Sequence, residues 1–94
     1  MSSSQPSSKP DLYVVARVVS VLREQGPTKR TQLAVMTRLS YDTLVKYLDW
    51  MNQKGFVRFD EEDNVVLTQQ GEEVYERLVR WILEYVGKLR FPRF

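Results

Sequence analysis

Residues 28–55 read TKRTQLAVMTRLSYDTLVKYLDWMNQKG and carry the clearest structural signals of the sequence. Its first part predicts a short helix that begins at Thr28 or Lys29 and ends near residues 37–39. The inward face of this helix is expected to carry Leu33, Ala34 and Val35.

Ser40 reads as the N-cap of a second, longer helix over residues 41–54, and Gly55 follows as its C′ residue. Its apolar residues recur at spacings of four and three, the period of one helix face. This inner stripe consists of Leu44, Leu48 and Met51. A short helix, a tight turn and a longer capped helix together predict a helix-turn-helix motif.

Upstream of the motif, residues 11–24 predict a helix with Asp11 as its N-cap, and Gly26-Pro27 end it. Two apolar stripes run along this helix, which therefore needs two partners, and one of these could be another subunit. The first stripe is Leu12, Val15, Val19 and Leu22, and the second is Val14, Val18 and Val21.

Downstream, the apolar runs 56–59 and 65–67 flank the acidic stretch 60–64 and predict a β-hairpin with an acidic tip. Thr68 then caps a last helix that extends from residue 69 to about residue 89. The fold class is therefore mainly α with a small β-hairpin, in the order of a winged helix-turn-helix with a long C-terminal helix. We expect three parts: a disordered tail at residues 1–10, the winged domain at 11–68 and a dimerisation helix at 69–94.

The stretch from Arg23 to Glu76 also resembles a known family, the archaeal winged-helix DNA-binding proteins of about ten kilodaltons found in crenarchaea. Its landmarks are Gly26-Pro27, Leu39-Ser40-Tyr41, Lys46-Tyr47-Leu48, Lys54-Gly55-Phe56-Val57 and Leu67-Thr68-Gln69-Gln70-Gly71. With the first and last helices included, the resemblance covers roughly 80 of the 94 residues. It implies a dimer in which the long C-terminal helix pairs antiparallel with its mate.

Composition excludes several chemistries from the 94 residues. The sequence has no cysteine and no histidine, so zinc fingers, iron–sulfur clusters and thiol or Ser/His/Asp catalysis lack an obligatory group. We therefore expect a binding module and not an enzyme, with no metal, no cofactor and no evident small-molecule ligand. Its apolar runs stop far short of the roughly 20 residues that span a bilayer, so we expect no membrane partner and a cytoplasmic, nucleoid-associated protein.

The net charge of the chain is only +2, but the charge is unevenly distributed. Residues 28–54 carry five cations and two anions, whereas residues 56–66 carry one cation and four anions. Since Lys and Arg that neutralise phosphates dominate DNA affinity, this contrast predicts that the helix-turn-helix contacts double-stranded DNA and the hairpin tip does not.

Nine residues are candidates for DNA contact: Lys29, Arg30, Arg38, Ser40, Tyr41, Asp42, Thr43, Lys46 and Tyr47. Lys29 and Arg30 stand at a helix N-terminus, where the macrodipole disfavours cations, and a phosphate would remove that conflict. Alternatively, exposed cations simply tolerate the small penalty. The first turns of the second helix are expected to meet base edges or line the groove. For Tyr41 and Tyr47, packing over the core is an equal alternative, and Asp42 also suits the positive end of the helix dipole.

The last helix carries more apolar surface than one small domain can cover. One stripe is Val74, Leu78, Trp81, Tyr85 and Leu89, and a second beside it is Tyr75, Val79, Ile82 and Val86. The expected partner is the same helix of a second copy, in a coiled-coil homodimer. The interface is predicted to use Val74, Leu78, Trp81, Ile82, Tyr85, Val86 and Leu89. In the alternatives, Trp81 and Tyr85 fold back onto their own core, or the aromatic end of the chain lies on a membrane surface.

Together these patterns favour a dimeric winged-helix DNA-binding protein, either a transcription regulator or a chromatin-associated architectural protein. The alternative is a protein-interaction module on the same fold, in which the acidic wing binds a basic partner. The low net charge favours this alternative, because strong DNA binders are usually more basic.

Overall fold

The computed structural model describes residues 10–89, with side chains described as far as Tyr85. Four helices and one hairpin follow in the predicted order, so the fold class is confirmed. The elements are α1 (Leu12–Gln25), α2 (Arg30–Thr37), α3 (Tyr41–Gln53), β1 (Val57–Phe59), β2 (Val65–Leu67) and α4 (Gln69–Leu89). Apart from Pro10, the predicted tail at residues 1–10 lies outside the described residues. No helix in the described part of the chain is both long and apolar enough to cross a membrane.

The predicted caps place the ends of the helices. The Asp11 carboxylate accepts a hydrogen bond from the backbone N–H of Tyr13 at 2.9 Å, and the Ser40 hydroxyl accepts one from Thr43 N–H at 3.2 Å. Gly26 ends α1 with a φ of 76°, and Gly55 follows α3 with a φ of 82°. Residues that carry a Cβ are strained in this backbone region, whereas glycine is not. Local sequence signals therefore fix the boundaries of α1 and α3.

The core is a single cluster between α1, α2, α3 and the hairpin. Its buried apolar residues are Val15, Val18, Val19, Leu22, Leu33, Ala34, Leu44, Leu48, Met51, Val57 and Val65. The inner stripe predicted for α3 is thus confirmed in full. It follows that the opposite side of α3 faces solvent.

This core bears on three expectations about buried faces. The second stripe of α1 packs within the same chain, because Val18 is fully buried and Val14 and Val21 lie against the cluster. Leu12, placed in the first stripe, is instead 53% exposed. Val35, predicted to face inward, is 77% exposed, because α2 buries the side of the helix that carries Leu33, Ala34 and Thr37.

The hairpin is tied to the start of α2. Phe59 pairs with Val65 in the antiparallel ladder, and Thr28 extends the pairing as an isolated bridge to Val65. The two bridge hydrogen bonds, Thr28 N–H to the Val65 carbonyl and Val65 N–H to the Thr28 carbonyl, measure 3.1 and 2.8 Å. Because both residues are buried, this bridge fixes the hairpin beside the helix-turn-helix.

Asp60 organises the hairpin tip, residues 60–64. Its carboxylate accepts hydrogen bonds from the backbone N–H of Asn64 and of Glu62, both at 2.9 Å, and from the Asn64 side chain at 3.2 Å. The backbone bond from Asn64 is the main cause that holds the pKa of Asp60 below its ordinary value. The ionised carboxylate therefore stabilises the tip at neutral pH, and this stabilisation is lost as the pH falls through the lowered pKa.

The first turn of α4 is held against the start of the hairpin by hydrogen bonds and close packing. The Thr68 hydroxyl accepts from Gly71 N–H at 3.0 Å and donates to the backbone carbonyls of Gly55 and Phe56, at 2.6 and 2.9 Å. Gly71 is buried, and a Cβ there would collide with the Phe56 carbonyl and approach Leu67 Cδ1 to 2.7 Å. Only glycine allows this approach of α4 to the start of β1.

We predict that Gly71→Ala destabilises the protein although alanine is the better helix former. The backbone carbonyl of Phe56 cannot move cheaply, so overpacking should outweigh the gain in helix propensity and lower the free energy of unfolding by about 2 kcal/mol. Urea denaturation measures this value. Glu73→Ala, at an exposed site in the same turn, is the control and should change stability by less than about 0.5 kcal/mol. A Gly71→Ala protein as stable as wild type would contradict the packing described here.

Candidate nucleic-acid interface

The first turn of α3 presents a capped helix N-terminus with an exposed surface. Tyr41, Asp42 and Lys46 are exposed, and Thr43 is half-buried. The Ser40 hydroxyl donates to the Thr43 hydroxyl at 2.9 Å while it accepts from the Thr43 backbone. The Thr43 hydroxyl can donate to or accept from an outside group in addition to this contact. The predicted outer residues Tyr41, Asp42, Thr43 and Lys46 thus lie within the first two turns of α3.

Tyr47 packs within the fold, one of the two alternatives that the sequence left open for this residue. Its ring packs partly buried against the core, and its hydroxyl oxygen accepts a hydrogen bond from the backbone N–H of Asp11 at 3.0 Å. This contact ties the start of α1 to the middle of α3. The packing alternative for Tyr47 is therefore supported, and its contact with DNA stays a prediction.

Arg38 forms the turn between α2 and α3 in an unusual backbone conformation. Its φ is 62° and its ψ is 35°, the left-handed region that glycine or asparagine usually occupies. The side chain is exposed. The guanidinium is therefore open to contact with an external anion, at a turn position where a residue with a side chain is strained.

Lys29 and Arg30 both reach the hairpin tip, which sequence analysis did not foresee. Lys29 Nζ donates to the Glu62 carbonyl at 2.6 Å, and Arg30 forms an ion pair with Asp63 at 2.7 Å. The Arg30 guanidinium also lies 4.5 Å from the centroid of the Phe59 ring. The charge conflict at the start of α2 is therefore relieved within the chain.

Arg38 and Lys46 differ from these two cations. Within residues 10–89, neither forms an ion pair, since the pairs found there are Arg30 with Asp63 and Arg23 with Glu72. Both are exposed and flank the first turn of α3 in sequence. Lys54, at the far end of α3, also forms no ion pair there, so Arg38 and Lys46 are the unpaired cations nearest in sequence to the first turn of α3.

The second half of α4 carries an exposed aromatic pair. The rings of Trp81 and Tyr85 stack with centroids 4.7 Å apart, and the two residues are 55% and 54% exposed. Val74, Leu78 and Ile82 are half-buried. Trp81 and Tyr85 are thus only partly covered by their own subunit. The predicted interface residues Val86 and Leu89 lie in α4, but their side chains fall outside the described part.

An apolar groove of about 540 Å³ lies between α4, α1 and the end of α3. Its apolar lining comprises Leu12, Val15, Trp50, Phe56, Val74, Leu78 and Trp81, and Arg77, Arg80 and Glu84 complete it. Trp50 meets Phe56 edge to face at 5.8 Å. Sequence analysis did not include Trp50 and Phe56 in this surface, because they come from elements that no short-range pattern connects to α4.

The fold and the exposed start of α3 define a winged helix-turn-helix protein. Its features are the short helix α2, the amphipathic α3 with an exposed N-terminal turn, and a two-stranded wing. Residues 13–85 match the sequence model of the family described as winged helix-turn-helix. The chain therefore belongs to the winged helix-turn-helix family. No curated protein matches the chain.

Solved structures with the same fold include three bacterial proteins. The MarR family transcriptional regulator SPO1453 from Silicibacter pomeroyi is 24% identical, with a TM-score of 0.65, 81% of this chain covered and 57% of that one. The transcriptional regulator Tm0710 from Thermotoga maritima is 18% identical, with the same score and coverage. A MarR family protein from Bacillus stearothermophilus is 20% identical, with a TM-score of 0.70, 93% of this chain covered and 65% of that one. The chain thus spans less than two thirds of the length of each.

We predict that Arg38→Gly stabilises the fold by about 0.5–1 kcal/mol, because glycine adopts the left-handed conformation without a Cβ clash. Arg38→Ala is the matched control: it removes the same guanidinium but keeps the strain, so its stability should not rise. Thermal or urea unfolding of both variants measures the difference. Equal stability of the two variants would show that Arg38 is not strained.

Proposed function

We propose that this protein binds double-stranded DNA through the helix-turn-helix at residues 28–54, as a transcription regulator or a chromatin-associated architectural protein. The observation that carries the proposal is the exposed first turn of α3, beside two cations that lack an ion pair in the described part, Arg38 and Lys46. In helix-turn-helix proteins the second helix enters the major groove with its N-terminal residues towards the bases. Two neighbours of the same fold are titled as transcriptional regulators, which supports a regulatory role.

In this proposal the residues in and beside the first turn of α3 have separate tasks. Arg38 and Lys46 contact phosphates, which sets affinity and register. The Thr43 hydroxyl donates to or accepts from a base edge, and its methyl group suits a thymine methyl. Asp42 stabilises the helix N-terminus or accepts from a cytosine amino group. No arginine or asparagine lies in this turn, so we expect modest sequence specificity.

The hairpin tip takes no direct part in phosphate binding. It carries Asp60, Glu61, Glu62 and Asp63, and such a cluster is repelled by the DNA backbone. The positive charge of the motif is therefore offered by the helices and not by the wing.

We further propose a homodimer through α4. The half-exposed Trp81 and Tyr85 and the adjoining groove form a continuous apolar surface, and a second copy of α4 has the length and apolar pattern to cover it. The antiparallel arrangement implied by the resemblance to crenarchaeal proteins also suits the charges. It sets Glu73 and Glu76 near the start of one helix against the end of the other, where the sequence has Lys88. Such a dimer presents two α3 helices, either to adjacent grooves of one duplex or to two duplexes.

One feature favours a second candidate, a protein-interaction module. The hairpin tip is acidic and largely exposed, and Lys29 and Arg30 are already engaged by it. A basic protein partner would then bind the wing. This candidate gains support if the protein shows no affinity for duplex DNA at low salt.

The DNA proposal predicts a salt-dependent affinity. In fluorescence anisotropy with a labelled duplex, log K should fall linearly with log salt, with a slope of several units. Replacement of Lys29, Arg30 and Lys46 together by alanine should weaken binding and reduce this slope by about one to three units. An unchanged slope would place the DNA site elsewhere.

Single variants on α3 give a matched control for this experiment. Lys46→Ala and Lys54→Ala remove the same charge from the same helix, but Lys54 is its C-cap, at the end far from Ser40. Docking through the first turn predicts a reduction of the slope by about one unit for Lys46→Ala and little change for Lys54→Ala. Equal effects would mean that binding reflects overall charge only.

The dimer proposal predicts that Leu78→Asp dissociates the protein. An unpaired carboxylate buried in the helix seam costs about 3 kcal/mol or more, which raises the dimer Kd by at least about 100-fold. Sedimentation equilibrium measures this change. Leu83→Asp makes the same substitution on the same helix but outside both apolar stripes, and should leave the dimer intact. A wild-type monomer at tens of micromolar would refute pairing through α4.

A further inference from the structure

The start of α2 and the hairpin tip are held face to face. Thr28 and Val65 form the bridge between them, so the second residue after Thr28 stands opposite the second residue before Val65. These two residues are Arg30 and Asp63, and they form the 2.7 Å ion pair. The bridge therefore brings together the two chain segments that carry this ion pair.

Hydrogen bonds within the hairpin tip also hold the Asp63 carboxylate in place. Asp60 accepts two backbone hydrogen bonds and one side-chain bond across the turn, and Lys29 Nζ binds the Glu62 carbonyl. Asp63 itself has a φ of 66°, the region in which asparagine and aspartate are tolerated best among side-chain-bearing residues. The Asp63 carboxylate is therefore presented to Arg30 by an ordered turn.

Arg30 is held on two sides. Its guanidinium lies over the Phe59 ring at 4.5 Å and donates through Nη1 to Asp63, and only 28% of its side chain is exposed. A carboxylate and a phosphate offer an arginine the same kind of charged oxygen acceptors. A DNA phosphate that approached Arg30 would therefore also approach the negative charge of Asp63.

From these contacts we infer that Asp63 competes with DNA phosphates for Arg30 and thereby lowers the DNA affinity of the protein. This inference rests on the proposed DNA-binding function. In the free protein Arg30 is neutralised by Asp63, so it adds little to phosphate binding. When the carboxylate is removed, Arg30 becomes available to the DNA backbone and releases one further counterion on binding. Asp63 acts through Arg30 and needs no contact with DNA itself.

The experiment compares Asp63→Asn with Glu61→Gln. Asparagine keeps the shape of the side chain and tolerates the positive φ, so the hairpin should be retained. Glu61 is an exposed acid of the same tip that forms no ion pair within the described residues, so its replacement changes the charge equally and frees no arginine. Thermal unfolding of both variants checks that the fold is intact.

We expect Asp63→Asn to bind a duplex about three- to fivefold more tightly than wild type. This factor corresponds to the upper part of the free-energy range measured for exposed ion pairs. The slope of log K against log salt should become steeper by about one unit. Glu61→Gln should change affinity by less than about twofold and leave the slope unchanged. A structural role for Asp63 alone would not steepen the slope.

Arg30→Ala provides the second arm, because it should weaken DNA binding more in the Asp63→Asn background than in the wild-type background. Arg30→Ala lowers the DNA affinity by some factor in each background. The factor in the Asp63→Asn background divided by the factor in the wild-type background should be about three to five, the same as the rise in affinity caused by Asp63→Asn. Equal effects of Arg30→Ala in both backgrounds, or equal affinities of Asp63→Asn and Glu61→Gln, would overturn the competition. Weaker binding by Asp63→Asn would overturn it too, since Asp63 would then position Arg30 for DNA. If neither wild type nor Asp63→Asn binds DNA, the proposed function fails instead.

Discussion

The bridge between Thr28 and Val65 is the contact on which the relation of the wing to the helix-turn-helix depends. Both residues are buried, and their reciprocal backbone hydrogen bonds extend the short hairpin by one step onto the chain before α2. A two-stranded hairpin is marginal by itself, so it needs this tether and the packing of Val57 against the helices. The same tether brings the acidic tip to Lys29 and Arg30. Fold stability and the electrostatics at the start of α2 therefore share one contact.

Local signals were sufficient to predict most of the fold. Ser40, Gly55 and the stripe ending at Met51 define α3, because caps and helical periodicity act within a few residues. Val35 was misplaced because α2 has eight residues, too few for periodicity to distinguish its inward side. The ion pair of Arg30 joins residues 33 positions apart, and the Tyr47 hydroxyl bond spans 36. Such contacts arise from tertiary geometry, which the sequence pattern does not encode.

The net charge of the chain is small although its helix-turn-helix is basic and its hairpin tip is acidic. A basic motif and an acidic wing tip stand within hydrogen-bond distance, so part of the positive charge is neutralised inside the molecule. Arg38 and Lys46 stay outside this compensation in the described part of the chain. DNA affinity in such an arrangement is set by which cations remain available and not by the total charge. A dimer that bound DNA with two motifs at once would bind more tightly than a single motif.

α4 shows why a second copy fits this architecture. Its first turns are held by Thr68, by the close approach at Gly71 and by the contacts of Arg23 with Glu72 and with the Tyr75 ring. Beyond these turns the helix continues to Leu89 and carries Trp81 and Tyr85 half exposed. Exposed aromatic surface on a domain with so small a core is unfavourable in isolation, and burial against a second α4 would stabilise both copies. Because α1, the end of α3 and α4 share one groove, that burial would also fix the direction in which each α3 faces DNA.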